Sequence, residues 1–577
     1  MSAIRANKQE IDRAAGQYTS YFEDSANIPI SFTLEGQTFC GFGADFEIQR
    51  ELLPAGCQVG TEFDQLRTYK YLSDYGEKIT ARHKSGITAV VKTAVYKDYA
   101  AFEWAVTFRN DADSNSPLLG DILAADLTFT GANPYLQHFV GDDGTDSKAM
   151  MPQETLLRPG SALEFQPVGG RPTNFQLPFY RLTAGEHSTV ISVGWAGQWK
   201  SRFDTLSSAD CVHFSAGQAC IRARLLPGEE IRTPMITLLF ANCRADLQEG
   251  EYRLINLWRR FLIDCNMRRI RGELMQPVAT ANTFMMYHEM LNSTDENQIQ
   301  ALDAYHNAGI CLDYWWMDAG WYFKGEDQRI TSWDQVGSWK VDTNRFPSEF
   351  RAISDHAARL GTKTLLWFEP ERVTPGTGLA DKPEWLVSPR LADMGNPEFR
   401  SWLTDRVLTI MKKGGISLYR QDFNIDPLPH WQQKDAQCGP DRIGICENHY
   451  VTGYLAYWDS LIARAPEMMI DSCASGGRRN DLETMRRSIA IHKTDSDYSD
   501  LTQKQSMHHS FFQWLPYFGT LALGRGPGAV ADRYNFRTAF VPWMAYTYDV
   551  SRTAEENDYA TGVRALQEWR EIGRAHV

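Results

Sequence analysis

The chain has 577 residues, 43% of them hydrophobic and 23% charged, an ordinary globular composition too long for one ordinary domain. Its formal net charge of −13 repels nucleic acid and anionic membrane surfaces at long range, and leaves a neutral ligand open. No run is long and apolar enough to span a bilayer, and the opening MSAIRANKQEIDRAAGQYTS lacks the apolar core of a secretion signal, so the expectation is a soluble, cytoplasmic protein.

From about Ile28 to Phe240 the text is strand-rich. Ala100 to Asn110 (AAFEWAVTFRN) alternates apolar and polar, Gly228 to Ala241 reads as a turn followed by a strand, and Gly and Pro punctuate as in an antiparallel sandwich. Residues 1–245 are therefore expected to form an N-terminal β-sandwich. Asp246 to Ile263 has helical periodicity, with Tyr252, Leu254, Ile255, Leu257, Trp258, Phe261 and Leu262 on its apolar positions, and 246–275 is expected to be a helical linker.

Past Pro277 the pattern changes. Short apolar runs end in polar residues: Thr280–Tyr287, Leu312–Asp318, Thr364–Pro370, Ile416–Asn424, Glu467–Ala474, Ser488–Asp495, Gly519–Gly524 and Phe540–Tyr548. Amphipathic stretches lie between them, among them Asp295–Gly309, Pro347–Gly361, Pro397–Gly415 and His449–Pro466. Eight such strands over roughly 280 residues, against the ~250 of a typical case, predict a (β/α)8 TIM barrel over 276–570. The tail 571–577 (EIGRAHV) has no evident structural role and is expected to be non-native, with a natural C-terminus missing.

Barrel active sites lie at the C-terminal ends of the strands. Asp318, Glu369, Asp422, Cys473 and Asp495 all fall there. Two carboxylates across a neutral pocket form the constellation of glycoside hydrolysis, one ionised and one protonated. Arg420, Asp422 and Asn424 share one face of their strand because side chains alternate with period two. A fixed cation keeps a neighbouring carboxylate ionised, which suits a nucleophile; a structural Arg–Asp pair closing the strand end is the other reading. Asp495 sits near Asp497 and Asp500, and crowding of carboxylates favours a protonated acid, although Asp497 is hard to separate from Asp495 by pattern. The ten cysteines are dispersed and read as free thiols. His430, Cys438, Cys446 and His449 are zinc-type ligands in one region, but their spacing fits no usual zinc pattern, so neither metal nor cofactor is expected.

At these motifs the chain resembles glycoside hydrolase family 36, the retaining α-galactosidase family. Leu365–Val373 (LLWFEPERV) is similar to the family's LWFEPEMV, YRQDFN to its K-W-D-M-N strand, Asp471–Met485 (DSCASGGRRNDLETM) to its ESCASGGGRFD segment, and KTDSDYSD to its T-S-D-N-T-D segment. The resemblance implies a sandwich and barrel followed by a C-terminal β-domain, here truncated. It implies Asp422 as nucleophile and Asp495 as acid/base, the two carboxyl groups ~5–5.5 Å apart. It also implies substrate contacts from Asp318, Trp367, Arg420, Asn424, Cys473 and Gly476, with Trp367 walling the bound sugar unless it only packs the barrel lid. The expected partner is a small-molecule carbohydrate, with no nucleic acid and no membrane, and a homo-oligomer is possible by resemblance. Three departures stand out: the family's DDGW is DAGW here, with Ala319 for the second acid; Lys and Trp before the nucleophile become Arg420 and Gln421; and a long loop, Asp426 to Ile445, follows that strand. The leading expectation is hydrolysis of terminal α-galactose. The alternatives are α-N-acetylgalactosamine or another α-sugar by the same mechanism, a raffinose-synthase-like galactosyl transfer, and a non-catalytic sugar-binding protein.

Overall fold

The computed structural model describes residues 4–60, 73–143, 149–205, 210–242, 247–495, 500–522 and 531–575. The N-terminal part is antiparallel. A ten-stranded sheet faces a second layer of five-stranded and four-stranded sheets. The strand Ala101–Asn110, paired with Ile87–Tyr96, shows how both its faces are used. Phe102, Trp104, Val106 and Phe108 turn into the sandwich core with Leu127, Phe203 and Phe214. The alternate residues are small or charged: Ala101 and Ala105 join a second core shared with the barrel, and Glu103 pairs with Arg486 of the helix Leu482–Arg487. The helix Lys8–Phe22 precedes the strands, started by a capping box between Asn7 and Glu10, and its Tyr18 and Phe22 rings pack on Phe102.

The helix Leu247–Phe261 is more than a connector. Leu254, Leu257, Trp258 and Phe261 are buried in the core between sandwich and barrel, and Trp258 Nε1 donates to Trp514 O at 3.0 Å. Tyr252, expected on the same face, is instead 56% exposed.

The parallel strands Val278–Asn282, Tyr314–Met317, Lys363–Phe368, Leu418–Gln421, Met469–Ser472, Gly519–Leu521 and Trp543–Tyr546 form one seven-stranded sheet. The segment around Ile489 and Ala490 joins the two ends of this sheet through single parallel bridges to Asp471 and Phe518. The ring therefore closes with that segment in the eighth position, as a TIM barrel. Side chains alternate as the pleat requires. Tyr314, Trp316, Leu365, Leu418, Met469 and Leu521 fill the interior, while Trp315, Met317, Leu366, Tyr419 and Ile470 belong to the core under the helices.

The run 426–445, expected as a long loop, folds differently. It holds the helix Leu428–Cys438 and a short strand, Arg442–Ile443, that pairs with Arg222–Ala223 of the sandwich. Trp431 is buried against Tyr450 and seats on Gly170, where a Cβ would lie 2.8 Å from the indole. The zinc-type residues in this region are engaged elsewhere. His430 bonds Ser388 Oγ at 2.8 Å, His449 reaches Glu230 O at 3.3 Å, Cys446 is packed inward and Cys438 is exposed. Among the described residues no group of three or more His, Cys, Asp or Glu could hold a metal ion, and no helix is long and apolar enough to cross a membrane.

The same seam buries Glu447, which accepts from Trp195 Nε1 and the Gln198 N–H, both at 2.8 Å. Burial pushes its carboxyl up to about 8 against the pull of those donors. The folded protein thus holds a proton that the unfolded chain has released above about pH 4.5, so this group lowers stability as pH rises up to about 8. Glu447→Gln keeps the acceptor and removes the titration. Melting temperature measured from about pH 5 to about pH 8.5 should fall less in the variant than in the wild type; parallel curves would contradict the assignment.

Candidate active site

The fourth strand ends at Gln421, and Asp422 stands just past it at the barrel mouth, 8% exposed. Among the described residues, four donors converge on its carboxylate: Oδ1 accepts from the Phe423 and Ser475 N–H groups at 2.8 and 3.0 Å, and Oδ2 from Asn424 Nδ2 and Trp367 Nε1 at 2.8 and 3.2 Å. Burial works against the charge, but the Arg420 guanidinium and these donors outweigh it, and the carboxyl is held below its ordinary value.

Arg420 lies inside the barrel one step below. It is 4% exposed, stacks over Trp316 at 4.5 Å and pairs with Asp471, which also accepts from the Ile491 N–H at 2.8 Å. The guanidinium was expected beside Asp422 and gripping a sugar hydroxyl. It instead bonds the carboxylate of the neighbouring strand and acts on Asp422 through its field. Gln421 points outward, bonded to Glu371 at 2.7 Å, Tyr419 at 2.8 Å and Trp458 at 2.6 Å, so it belongs to the wall behind the site.

Carboxylates of the second and third strand ends face Asp422. Asp318, half-buried, accepts the Ala319 N–H at 2.8 Å; burial raises its pKa, opposed by Arg420. Glu369 is fully buried, forked by Arg372 and bonded to the Asn424 N–H at 2.6 Å, and burial with the nearby Asp422 charge brings it up to about 7 despite Arg372. Trp367 is 1% exposed: Tyr322 stacks 6.2 Å from its ring and Trp333 meets it edge-on at 6.2 Å. Its indole N–H on Asp422, and not an open ring face, is its tie to the site.

The turn after the fifth strand closes the far side. Cys473 is buried, with its Sγ accepting the Gly476 N–H at 3.4 Å. Ser475 sits at φ 52° and Gly476 at φ 85°. A Cβ on Gly476 would lie 2.5 Å from Asp495 N, so only glycine lets this turn press on the segment that carries Asp495. Asp495 is 38% exposed at its side chain, 3.4 Å from His492 Nδ1. Asp497 lies outside the described residues.

Asn424, Trp367, Asp318, Arg420, Cys473 and Asp422 are thus joined by bonds, packing or field, and Gly476 links them to Asp495. Sequence reasoning missed Ser475, Asp471 and two residues from the sandwich. Asp142 accepts from the Gly477 N–H at 2.7 Å and Thr494 Oγ1 at 2.8 Å, and Arg171 reaches Ser475 Oγ at 3.1 Å. Nothing local marks a partner some three hundred residues away; only the Gly-Gly before Arg171 hints at a tight turn. Gly476→Ala should destabilise the fold by about 1–3 kcal/mol through its left-handed φ and the Asp495 clash. Denaturant unfolding measures this, and an unchanged midpoint would contradict the reading of the turn.

Residues 233–510 match the Melibiase family model. The chain is 22% identical over 368 residues to alpha-galactosidase Mel36A of Lactobacillus acidophilus, covering 60% of this chain and 47% of that protein. It is 22% identical over 412 residues to an Escherichia coli alpha-galactosidase, covering 66% and 53%. The chain therefore spans about half the length of these curated relatives. Its fold is similar to the alpha-galactosidase of Lactobacillus brevis, with a TM-score of 0.74 at 16% identity over 94% of this chain and 72% of the other. It is similar also to the alpha-galactosidase AgaA of Geobacillus stearothermophilus, with a TM-score of 0.73 at 15% identity over 95% and 76%. The family match, the curated relatives and the shared fold agree with the resemblance to glycoside hydrolase family 36.

Proposed function

We propose that the site hydrolyses terminal α-linked galactose with retention of configuration. One observation carries this reading: a buried carboxylate, Asp422, kept ionised by four donors at the C-terminal end of a barrel strand. An ionised, immobile carboxylate at the end of a barrel strand can serve as a nucleophile. Asp422 attacks the anomeric carbon and forms a glycosyl-enzyme. Asp495, partly exposed and 3.4 Å from His492 Nδ1, first gives its proton to the leaving oxygen and then takes one from water. Asp318, across the barrel mouth, accepts hydrogen bonds from the sugar's hydroxyls. The relatives' names support the substrate class, and variants of AgaA from Geobacillus stearothermophilus are known in complex with stachyose and with raffinose.

A second reading has one specific support. Ala319 is 2% exposed and presents a methyl where family members are expected to carry a second acid. A pocket short of one acceptor favours an α-sugar that lacks, or does not need, the hydroxyl this acid would hold.

Purified protein should therefore be assayed on aryl α-galactoside, aryl α-N-acetylgalactosaminide and further aryl α-glycosides. Asp422→Ala is expected to abolish turnover. Asp495→Ala should lower it by about 10²–10⁴ on substrates with poor leaving groups and by less on a nitrophenyl group, which departs with little acid assistance. Full activity in either variant would overturn its assigned role. Turnover of another α-sugar alone would keep the mechanism and move the specificity to the Ala319 pocket.

A further inference from the structure

We propose that Arg171, which the β-sandwich sends into the barrel mouth, is a positioning residue for the Asp422 carboxylate; this rests on the nucleophile reading above. Arg171 is 5% exposed. Its Nε and Nη2 donate to Asp426 Oδ1 at 3.1 and 2.8 Å. Its Nη1 faces Phe423 O at 3.4 Å, Ala474 O at 3.3 Å and Ser475 Oγ at 3.1 Å. One guanidinium therefore ties the chain just after the fourth strand to the turn just after the fifth. Those are the segments that carry Asp422 and one of its donors.

The lock is needed because Ser475 is strained. At φ 52° it occupies the left-handed region, which costs a non-glycine residue on the order of 1–3 kcal/mol. In that conformation its N–H donates to Asp422 Oδ1 at 3.0 Å and its Oγ to Asn424 Oδ1 at 2.7 Å, and Asn424 Nδ2 holds Asp422 Oδ2 at 2.8 Å. Arg171 Nη1 binds the same Oγ at 3.1 Å. Its own place is fixed by the residues beside it: the Gly170 N–H donates to Gln198 Oε1 at 2.9 Å, and Thr173 Oγ1 donates to Gly477 O at 2.6 Å. Without Arg171 the turn is free to relax, and two of the four donors on Asp422 lose their fixed position.

The groups that set the field at Asp422 are Arg420 on its own strand, Asp318 from the second, Glu369 and Arg372 from the third, and Cys473 from the fifth. The bonds of Arg171 to Asp426, Phe423, Ala474 and Ser475 reach none of these groups directly. Arg171→Met removes both the bonds that place Ser475 and a buried cation near Asp422, and each loss raises the carboxyl pKa; Arg171→Lys keeps the cation, so its shift reads the positioning through Ser475 and Asn424.

The test is the pH profile of kcat/KM on an aryl α-galactoside for wild type, Arg171→Met and Arg171→Lys, with circular dichroism melts alongside. The acid limb should move up by about one unit in Arg171→Met and by less in Arg171→Lys, with kcat/KM down about tenfold or more at neutral pH in Arg171→Met. Should Arg171→Met fail to fold, Arg171→Lys carries the test, because it keeps the buried charge and the approach to Asp426. A folded variant whose acid limb coincides with wild type, even with a lowered melting temperature, would overturn the proposal and leave Arg171 a structural residue. A wild-type enzyme without turnover would instead overturn the nucleophile reading and this proposal with it.

Discussion

A carboxylate removed from water keeps its charge only where donors and cations take the place of the water. That constraint at Asp422 organises the barrel mouth. The donors must come from more than one strand end, because no single segment can surround both oxygens. Trp367 supplies an indole N–H from the third strand, Asn424 and Phe423 supply theirs from the chain just past the fourth, and Ser475 reaches across from the turn after the fifth. Satisfying Oδ1 from the fifth strand forces Ser475 into a left-handed turn, and that turn fits only because Gly476 and Gly477 have no Cβ to strike the backbone of 493–495. Arg420 sits one layer below, tethered by Asp471, and supplies the compensating charge without occupying the space where a ligand must sit.

The same constraint draws the sandwich into the site. Asp142 and Thr173 bond the 477–494 region, and Arg171 bonds both of the segments that frame Asp422. Farther from the mouth, Arg486 with Glu103 and Arg232 with Glu483 join the helix Leu482–Arg487 to the sandwich, while Arg487 with Asp459 joins it to the barrel's own helix. Buried pairs of this kind add little net stability, but removing one partner costs about 3–5 kcal/mol, so they fix how the two layers meet. The helix Leu428–Cys438 and the strand Arg442–Ile443 complete that join from the barrel side.

The parts of this architecture that follow local periodicity were legible in the sequence. Runs such as Tyr314–Met317 and Lys363–Phe368, each followed by an acid and alternating with amphipathic helices, announce the barrel and the end of it where chemistry sits. Asp422 was legible for the same reason. The partners of Arg420 were not: period two places it on the face of Asp422, but which carboxylate it bonds depends on the register between the fourth and fifth strands, where Arg420 lies opposite Asp471. Segment 426–445 reads as a loop because its helix begins among prolines and its apolar Trp431 is a single residue. Its partner surface, at Gly170 and Tyr450, is built by distant parts of the chain. Tyr252 shows the limit of helical pattern alone, since a residue at an apolar position is exposed wherever no neighbour happens to reach it.

In the proposed mechanism Asp422, and no other carboxylate at the barrel mouth, forms the bond to sugar. Incubation with a fluorinated galactosyl donor bearing a good leaving group, followed by proteolysis and mass spectrometry, tests it directly. One galactosyl adduct is expected, on the peptide containing Leu418 to Pro427 and localised to Asp422. An adduct on Asp318, Glu369, Asp471 or Asp495, or turnover of the donor with no adduct trapped at any carboxylate, would contradict it.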